Sequence, residues 1–167
     1  CVLGLRDYVD KNGFPGVVMG LSGGIDSALC AAMSVDALGP ERVHCVMLPY
    51  RYTSNVSLAD AADCAKALGV RYDIVPIAEP VEGFGRALAK MFAGRQPDIT
   101  EENIQSRARG SMLMAISNKL GGMVVTLAPQ IVGFAVGHFA FRMNPILLLG
   151  ALAGGQTVTA AMAAVQE

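Results

Sequence analysis

Tryptophan is absent from this 167-residue chain, aromatic residues make up 6% of it and charged residues only 16%. Scarce aromatics beside scarce cations exclude a basic, aromatic-studded surface for single-stranded nucleic acid. Thirteen Lys and Arg against 14 Asp and Glu leave a net charge of −1, so no global positive field gathers nucleic acid or an anionic membrane. Low charge combined with 53% hydrophobic residues excludes intrinsic disorder, and the length suits one domain, or one and a fragment. Neither an internal repeat nor a heptad pattern is present. The four cysteines, Cys1, Cys30, Cys45 and Cys64, include no CxxC pair and no His spacing suited to zinc. Cys30 follows an apolar helical run and Cys45 lies in a strand-like run. Both read as small buried hydrophobes, which predicts reduced thiols and a cytoplasmic protein. Arg6, Asp7 and Asp10 interrupt the start as a signal peptide. Opening at Cys1 rather than Met predicts that residues precede it.

Charge is also unevenly placed. Residues 127–167 carry only Arg142 and Glu167, with 22 uncharged residues between Lys119 and Arg142. A membrane helix needs about 20 apolar residues, so a membrane role is conceivable through this tail alone. The chain therefore divides into 1–126 and an apolar, Gly- and Ala-rich helical tail over 127–167.

The front segment alternates in period. Helices are expected over Val2–Asn12, Ser27–Leu38, Ser57–Leu68 (Ser57 and Asp60 as a variant capping box), Glu79–Phe92, and Glu101–Leu120 capped by Thr100. Strands are expected over 16–21, 42–48, 70–77 and 122–126. This order implies a doubly wound α/β fold on a parallel sheet, with ligands at the carboxyl ends of the strands.

At the end of the first strand stands Ser22-Gly23-Gly24-Ile25-Asp26-Ser27, running into a helix. Two glycines admit close approach of backbone N–H groups to an anion, and the helix start adds its positive end. The Ser22 and Ser27 hydroxyls can donate to phosphate oxygens, and Asp26 suits Mg²⁺ beside a polyphosphate. The loop has neither the Walker A lysine nor a GxGxxG pattern. The same residues would also make a tight turn with Asp26 or Ser27 as helix cap. His44, on a strand, reads as a sheet histidine rather than a catalyst.

The loop resembles the pyrophosphate loop of the N-type ATP pyrophosphatases, which adenylylate a substrate oxygen. Two further stretches, Met47-Leu-Pro-Tyr-Arg-Tyr-Thr-Ser54 and Glu101-Glu-Asn-Ile-Gln-Ser-Arg-Ala-Arg-Gly110, join the opening Leu3-Gly-Leu-Arg-Asp-Tyr-Val9. Together they resemble the synthetase domain of glutamine-dependent NAD synthase over residues 1–126, although a serine is expected near Tyr50. The resemblance implies an adenine nucleotide alpha hydrolase-like fold and ATP-dependent amidation of deamido-NAD through an acyl adenylate. Pyrophosphate and AMP would leave, Mg²⁺ and ATP would be used, and ammonia would come from an upstream glutaminase domain. Residues 22, 23, 24, 26 and 27 would hold ATP, with Asp26 on Mg²⁺. Arg51, Asn103, Gln105, Arg107 and Arg109 would hold substrate, although the last four would equally serve as a solvated helix face. A homodimer is implied too.

Beyond Thr126 the family pattern continues Gly-Asn-Lys-Ser-Glu, where this chain reads Leu127-Ala-Pro-Gln-Ile-Val-Gly133. That difference predicts a truncated synthetase of reduced competence joined to an unrelated tail; a soluble helical hairpin over the sheet edge is the other reading. Residues 133–167 weakly resemble a transmembrane piece of the aspartate–alanine exchanger transporters. The alternative functions are another ATP-pyrophosphatase-type ligase, or a non-enzymatic fusion fragment.

Overall fold

A computed structural model describes residues 1–125, which form one compact unit. Predictions for residues 126–167, including the tail, lie outside the described residues. The elements run α1 (Val2–Lys11), β1 (Val17–Gly20), α2 (Ile25–Leu38), a 3₁₀ turn (Pro40–Arg42), β2 (Val43–Met47), α3 (Asn55–Leu68), β3 (Arg71–Ile74), α4 (Ala78–Leu88), α5 (Ile99–Leu120) and β4 (Met123–Val124). The sheet has the order β3-β2-β1-β4 and every pairing is parallel, with Val17 opposite both Val43 and Met123.

The central strands are apolar because both their faces are covered. On one face Val18, Val46 and Leu48 meet Ile77, Met112, Leu113 and Ile116, and a Cβ on Gly20 would stand 3.5 Å from Leu113. On the other face Cys45 lies fully buried near Cys30 of α2 and Cys64 of α3, and burial pushes its thiol up to about 12. That thiol stays protonated and inert at neutral pH. All four cysteines are free.

Several helix starts differ from expectation, and the caps explain each. α2 begins two residues early at Ile25, after Gly24 as an N-cap with no side-chain bond, so Asp26 and Ser27 sit in its first turn and cap nothing. α3 begins at Asn55 because Ser54, rather than Ser57, accepts the Ser57 N–H at 3.0 Å. α5 begins at Ile99 because Asp98, rather than Thr100, is the cap, closing a reciprocal box with Glu101. A cap residue must lie outside the helix in extended backbone, and Ser54 and Asp98 are the residues that do. α4 stops at Leu88, short of Phe92. The apolar stripe of α5 runs through Ala108, Met112, Leu113 and Ile116, while Ala115 and Leu120 are exposed.

His44 is a sheet histidine, as expected. It lies opposite Arg71 in register, and its Nε2 is 2.7 Å from Asp73 Oδ2; a carboxylate only accepts, so Nε2 carries the proton. Arg71 Nε adds a second bond to the same oxygen at 3.0 Å. The His44 hydrogen bond, with help from Arg71, holds the Asp73 carboxyl below the ordinary 3.8. A carboxyl depressed in the folded state contributes stability above its unfolded value and loses it as pH falls through the folded one. The stability difference between wild type and Asp73→Asn is therefore expected to be full at neutral pH, to decline as pH falls below about 5 and to be lost as pH passes below the depressed value of the folded carboxyl, as read by urea unfolding across pH. A difference that persists at the acid end would show that ionised Asp73 is not what the pair stabilises.

Candidate functional site

The loop 22–27 leaves the carboxyl end of β1, and the sheet order reverses beside it. β2 and β3 build outward on one side of β1, and β4 returns on the other. This is the switch point where doubly wound sheets open a crevice.

Within the loop the hydroxyl protons can be assigned. Ser27 Oγ donates to Gly24 O at 2.8 Å, which uses its only proton. Ser22 must then be the donor in the 3.1 Å contact between the two hydroxyls. Ser27 Oγ also accepts the Ser22 N–H at 3.1 Å, and Ser22 Oγ accepts the Gly24 N–H at 3.3 Å. Both protons expected to reach phosphate are thus spent bracing the loop. The donors left for an anion are backbone groups. Ala28 N–H makes the first helical bond, to Gly24 O, so the N–H groups of Ile25, Asp26 and Ser27 at the start of α2 have no helical acceptor. The exposed Asp26 carboxylate has no bonded partner among the described residues.

Gly23 fixes the position of the loop. Its φ is +80°, and a Cβ there would stand 2.3 Å from the carbonyl oxygen of Ser57. The loop is therefore pressed against the first turn of α3, whose start is held by Ser54. The start of α2 and the first turn of α3 thus meet at one loop. Sequence reasoning missed this contact, although the Ser-x-x-Ser spacing of Ser54 and Ser57 is a capping signal that could have pointed to it.

A second group lies at the carboxyl end of β2, next to β1. A cavity of about 560 Å³ is lined by Tyr50, Arg51, Glu82, Arg86, Phe92 and Gln105, among others. That volume accommodates a small organic ligand. Arg51 Nη2 donates to Glu82 Oε1 at 2.5 Å, and its guanidinium lies 5.8 Å from the Tyr50 ring centroid. Arg109 Nε donates to Leu48 O at 3.1 Å, and partial burial lowers the pKa of its guanidinium. The expected set on α5 divides. Gln105 and Arg109 are half-buried on the side facing the sheet and cavity, while Asn103 and Arg107 are exposed. Residues two apart on a helix diverge by about 200°, so the four do not share one surface. Glu101 is committed to its cap on Asp98. No group of three or more potential metal-ligating side chains occurs among the described residues.

Gly23→Ala is expected to destabilise the chain by about 2 kcal/mol or more, because strained backbone and a backbone clash act together. Nucleotide affinity should fall with it. Gly24→Ala, where the nearest atom to an added Cβ is Ser22 Oγ at 3.4 Å, should cost far less. Urea unfolding and ATP titration of the two variants check both statements.

Comparison with known proteins identifies the family and supports the fold. The NAD synthase family model matches residues 1–152, beyond the position at which the resemblance was expected to end. Since that match crosses much of the tail, the transporter resemblance is left without support. The chain is 56% identical over 150 residues to the glutamine-dependent NAD(+) synthetase of Rhodobacter capsulatus, covering 87% of this chain and 27% of the relative. Among solved structures, the glutamine-dependent NAD+ synthetase of Acinetobacter baumannii, in complex with ADP, superposes with a TM-score of 0.73. It is 53% identical, over 74% of this chain and 23% of that one. The NH3-dependent NAD synthetase of Campylobacter jejuni gives a TM-score of 0.67 at 27% identity, over 78% of this chain and 55% of that one. The chain thus spans about a quarter of the length of the curated relatives it matches. With a family match over well more than half its residues and a parallel sheet of the same fold beneath it, the chain belongs to the NAD synthase family.

Proposed function

We propose that this chain is the synthetase portion of an enzyme that amidates deamido-NAD to NAD at the expense of ATP, working in the cytoplasm. The observation that carries the reading is the braced loop at 22–27, pinned by Gly23 against α3 and ending in the unpartnered N–H groups of α2. Such a loop receives the β- and γ-phosphates of ATP, the pair that leaves as pyrophosphate. The nicotinate carboxylate attacks the α-phosphorus and the bond to the β-phosphate oxygen breaks. Ammonia then adds to the acyl carbon, loses a proton and displaces AMP. No nucleophilic side chain is needed, so the protein's task is positioning and charge stabilisation.

The residues fit a magnesium ion. Asp26 is an exposed, uncommitted carboxylate in the same first turn as the phosphate-binding N–H groups, and Mg²⁺ is commonly held by one or two carboxylates together with substrate phosphates. When bound, the ion would offset phosphate charge and orient the leaving group. Arg51, Gln105 and Arg109 are assigned to substrate, with Asn103 and Arg107 on the neighbouring exposed face. Exposed Phe84, Met91 and Phe92, on α4 and just after it, favour a second copy as partner. The domain boundary is proposed near residue 126, with 127–167 as a separate segment.

The test is pyrophosphate release with Mg-ATP, deamido-NAD and ammonium. Release is expected to depend on deamido-NAD and to fall at least about a hundredfold in Asp26→Asn, the scale of losing a charge-stabilising group. Release without deamido-NAD, or unchanged in the variant, would overturn the reading. A folded wild type that binds ATP but releases nothing would restrict it to nucleotide binding.

A further inference from the structure

Arg51 and Glu82 lie 31 residues apart in sequence, one on the loop after β2 and the other on α4, yet they meet in the wall of the same cavity. Glu82 Oε1 takes one terminal N–H of the guanidinium, and Tyr50 offers the face of its ring at 5.8 Å. Tyr50 is itself anchored. It packs on the core cluster of Val18, Val46, Leu48 and Ile77, its N–H donates to Thr53 Oγ1 at 2.9 Å, and Tyr52 lies edge-on at 6.3 Å. Glu82 is steadied by Arg86, one helical turn on, at 3.9 Å.

We propose that Tyr50 and Glu82 are positioning residues that hold the Arg51 guanidinium in one orientation, with its remaining N–H donors left for an anionic group of the substrate. The inference rests on the proposed function for the identity of that substrate. Three features support it. An arginine side chain loses much conformational freedom on binding, and a flat ring beneath it with a carboxylate at one end removes that loss beforehand. The pair meets only one of the two Nη groups, and among the described residues no acceptor occupies the remaining donors. Finally, the side chains of Arg51 and Glu82 are 62% and 40% exposed, so the ion pair contributes little to folding. Its consequence is positional: it fixes a guanidinium with unpaired donors in the wall of the cavity. The ligand chemistry is a phosphate or carboxylate oxygen, which ATP and deamido-NAD both carry.

The experiment titrates Mg-ATP and deamido-NAD separately by calorimetry into wild type, Glu82→Ala, Glu82→Gln and Tyr50→Leu, each also in an Arg51→Ala background. Glu82→Ala and Tyr50→Leu are expected to weaken one of the two ligands about three- to tenfold, through the added cost of ordering Arg51. Glu82→Gln, which keeps the acceptor oxygen, should stay within about twofold. In the Arg51→Ala background these effects should vanish, and the weakened ligand names the substrate that Arg51 meets. Equal weakening with and without Arg51, or none, would overturn the proposal, since a merely structural role would not depend on Arg51. A second readout stands apart from ligand binding. The side-chain ¹⁵N resonances of Arg51 should report slow guanidinium rotation in wild type and fast rotation in Glu82→Ala. Wild-type rotation as fast as in the variant would overturn the positioning role even if both ligands bind. Binding of neither ligand, with slow rotation retained, would instead sink the proposed function and leave the pair standing.

Discussion

The contact between Gly23 and the Ser57 carbonyl is the constraint on which the site depends. At φ +80°, and because a Cβ would stand 2.3 Å from that oxygen, the loop can close on α3 only if this residue has no side chain. The closure joins the first two βα units at the carboxyl edge of the sheet and brings the start of α3 beside the start of α2. It also explains why the loop serines bond inward. A loop pressed against a neighbouring helix has a defined shape, and Ser22 and Ser27 complete it from within.

Much of the fold was legible because its signals are local. The buried strands 17–20 and 43–47 announce themselves as short β-branched runs, and the stops at Gly39, Gly69 and Gly121 as the residues that end helices. The loop at 22–27 was legible because its composition has few other physical uses. Helix starts were less so, since several Ser, Thr and Asp residues compete as caps within a few positions, and the winner is decided by which one adopts extended backbone. The Arg51–Glu82 pair could not be read at all. It joins a loop to a helix across 31 residues, and no pattern in either segment indicates that they meet. The division of the α5 set was legible in principle, because the helical period alone separates Asn103 and Arg107 from Gln105 and Arg109.

Charge in this site is sparing, and that has a physical logic. A substrate pair carrying several phosphates could be met by many cations, but cations at high density bind products as tightly as reactants. Here the phosphate loop offers backbone N–H groups and helix dipoles, which are fixed partial charges. The full charges, Arg51 and Arg109, stand one strand away at the end of β2. Arg109 is already engaged with a main-chain oxygen and partly desolvated. Its position at the helix–strand junction couples the placement of α5 to the end of the sheet.

On the proposed function, the two halves of the site would recognise an anion by different means. The loop is rigid, built from backbone and locked by hydroxyls whose protons are spent, so its selectivity is one of shape: a tetrahedral group small enough to approach three N–H donors. The cavity wall is built from side chains on two separate elements, and what it recognises depends on how those side chains are oriented. A rigid loop suits the pyrophosphate moiety, which is the same in every reaction of this chemistry. An oriented side-chain wall suits the part that differs between relatives, the acyl substrate. Selectivity among acyl substrates should then reside in residues outside the glycine loop, such as Tyr50, Arg51, Glu82 and Gln105, and that is where the cavity lies.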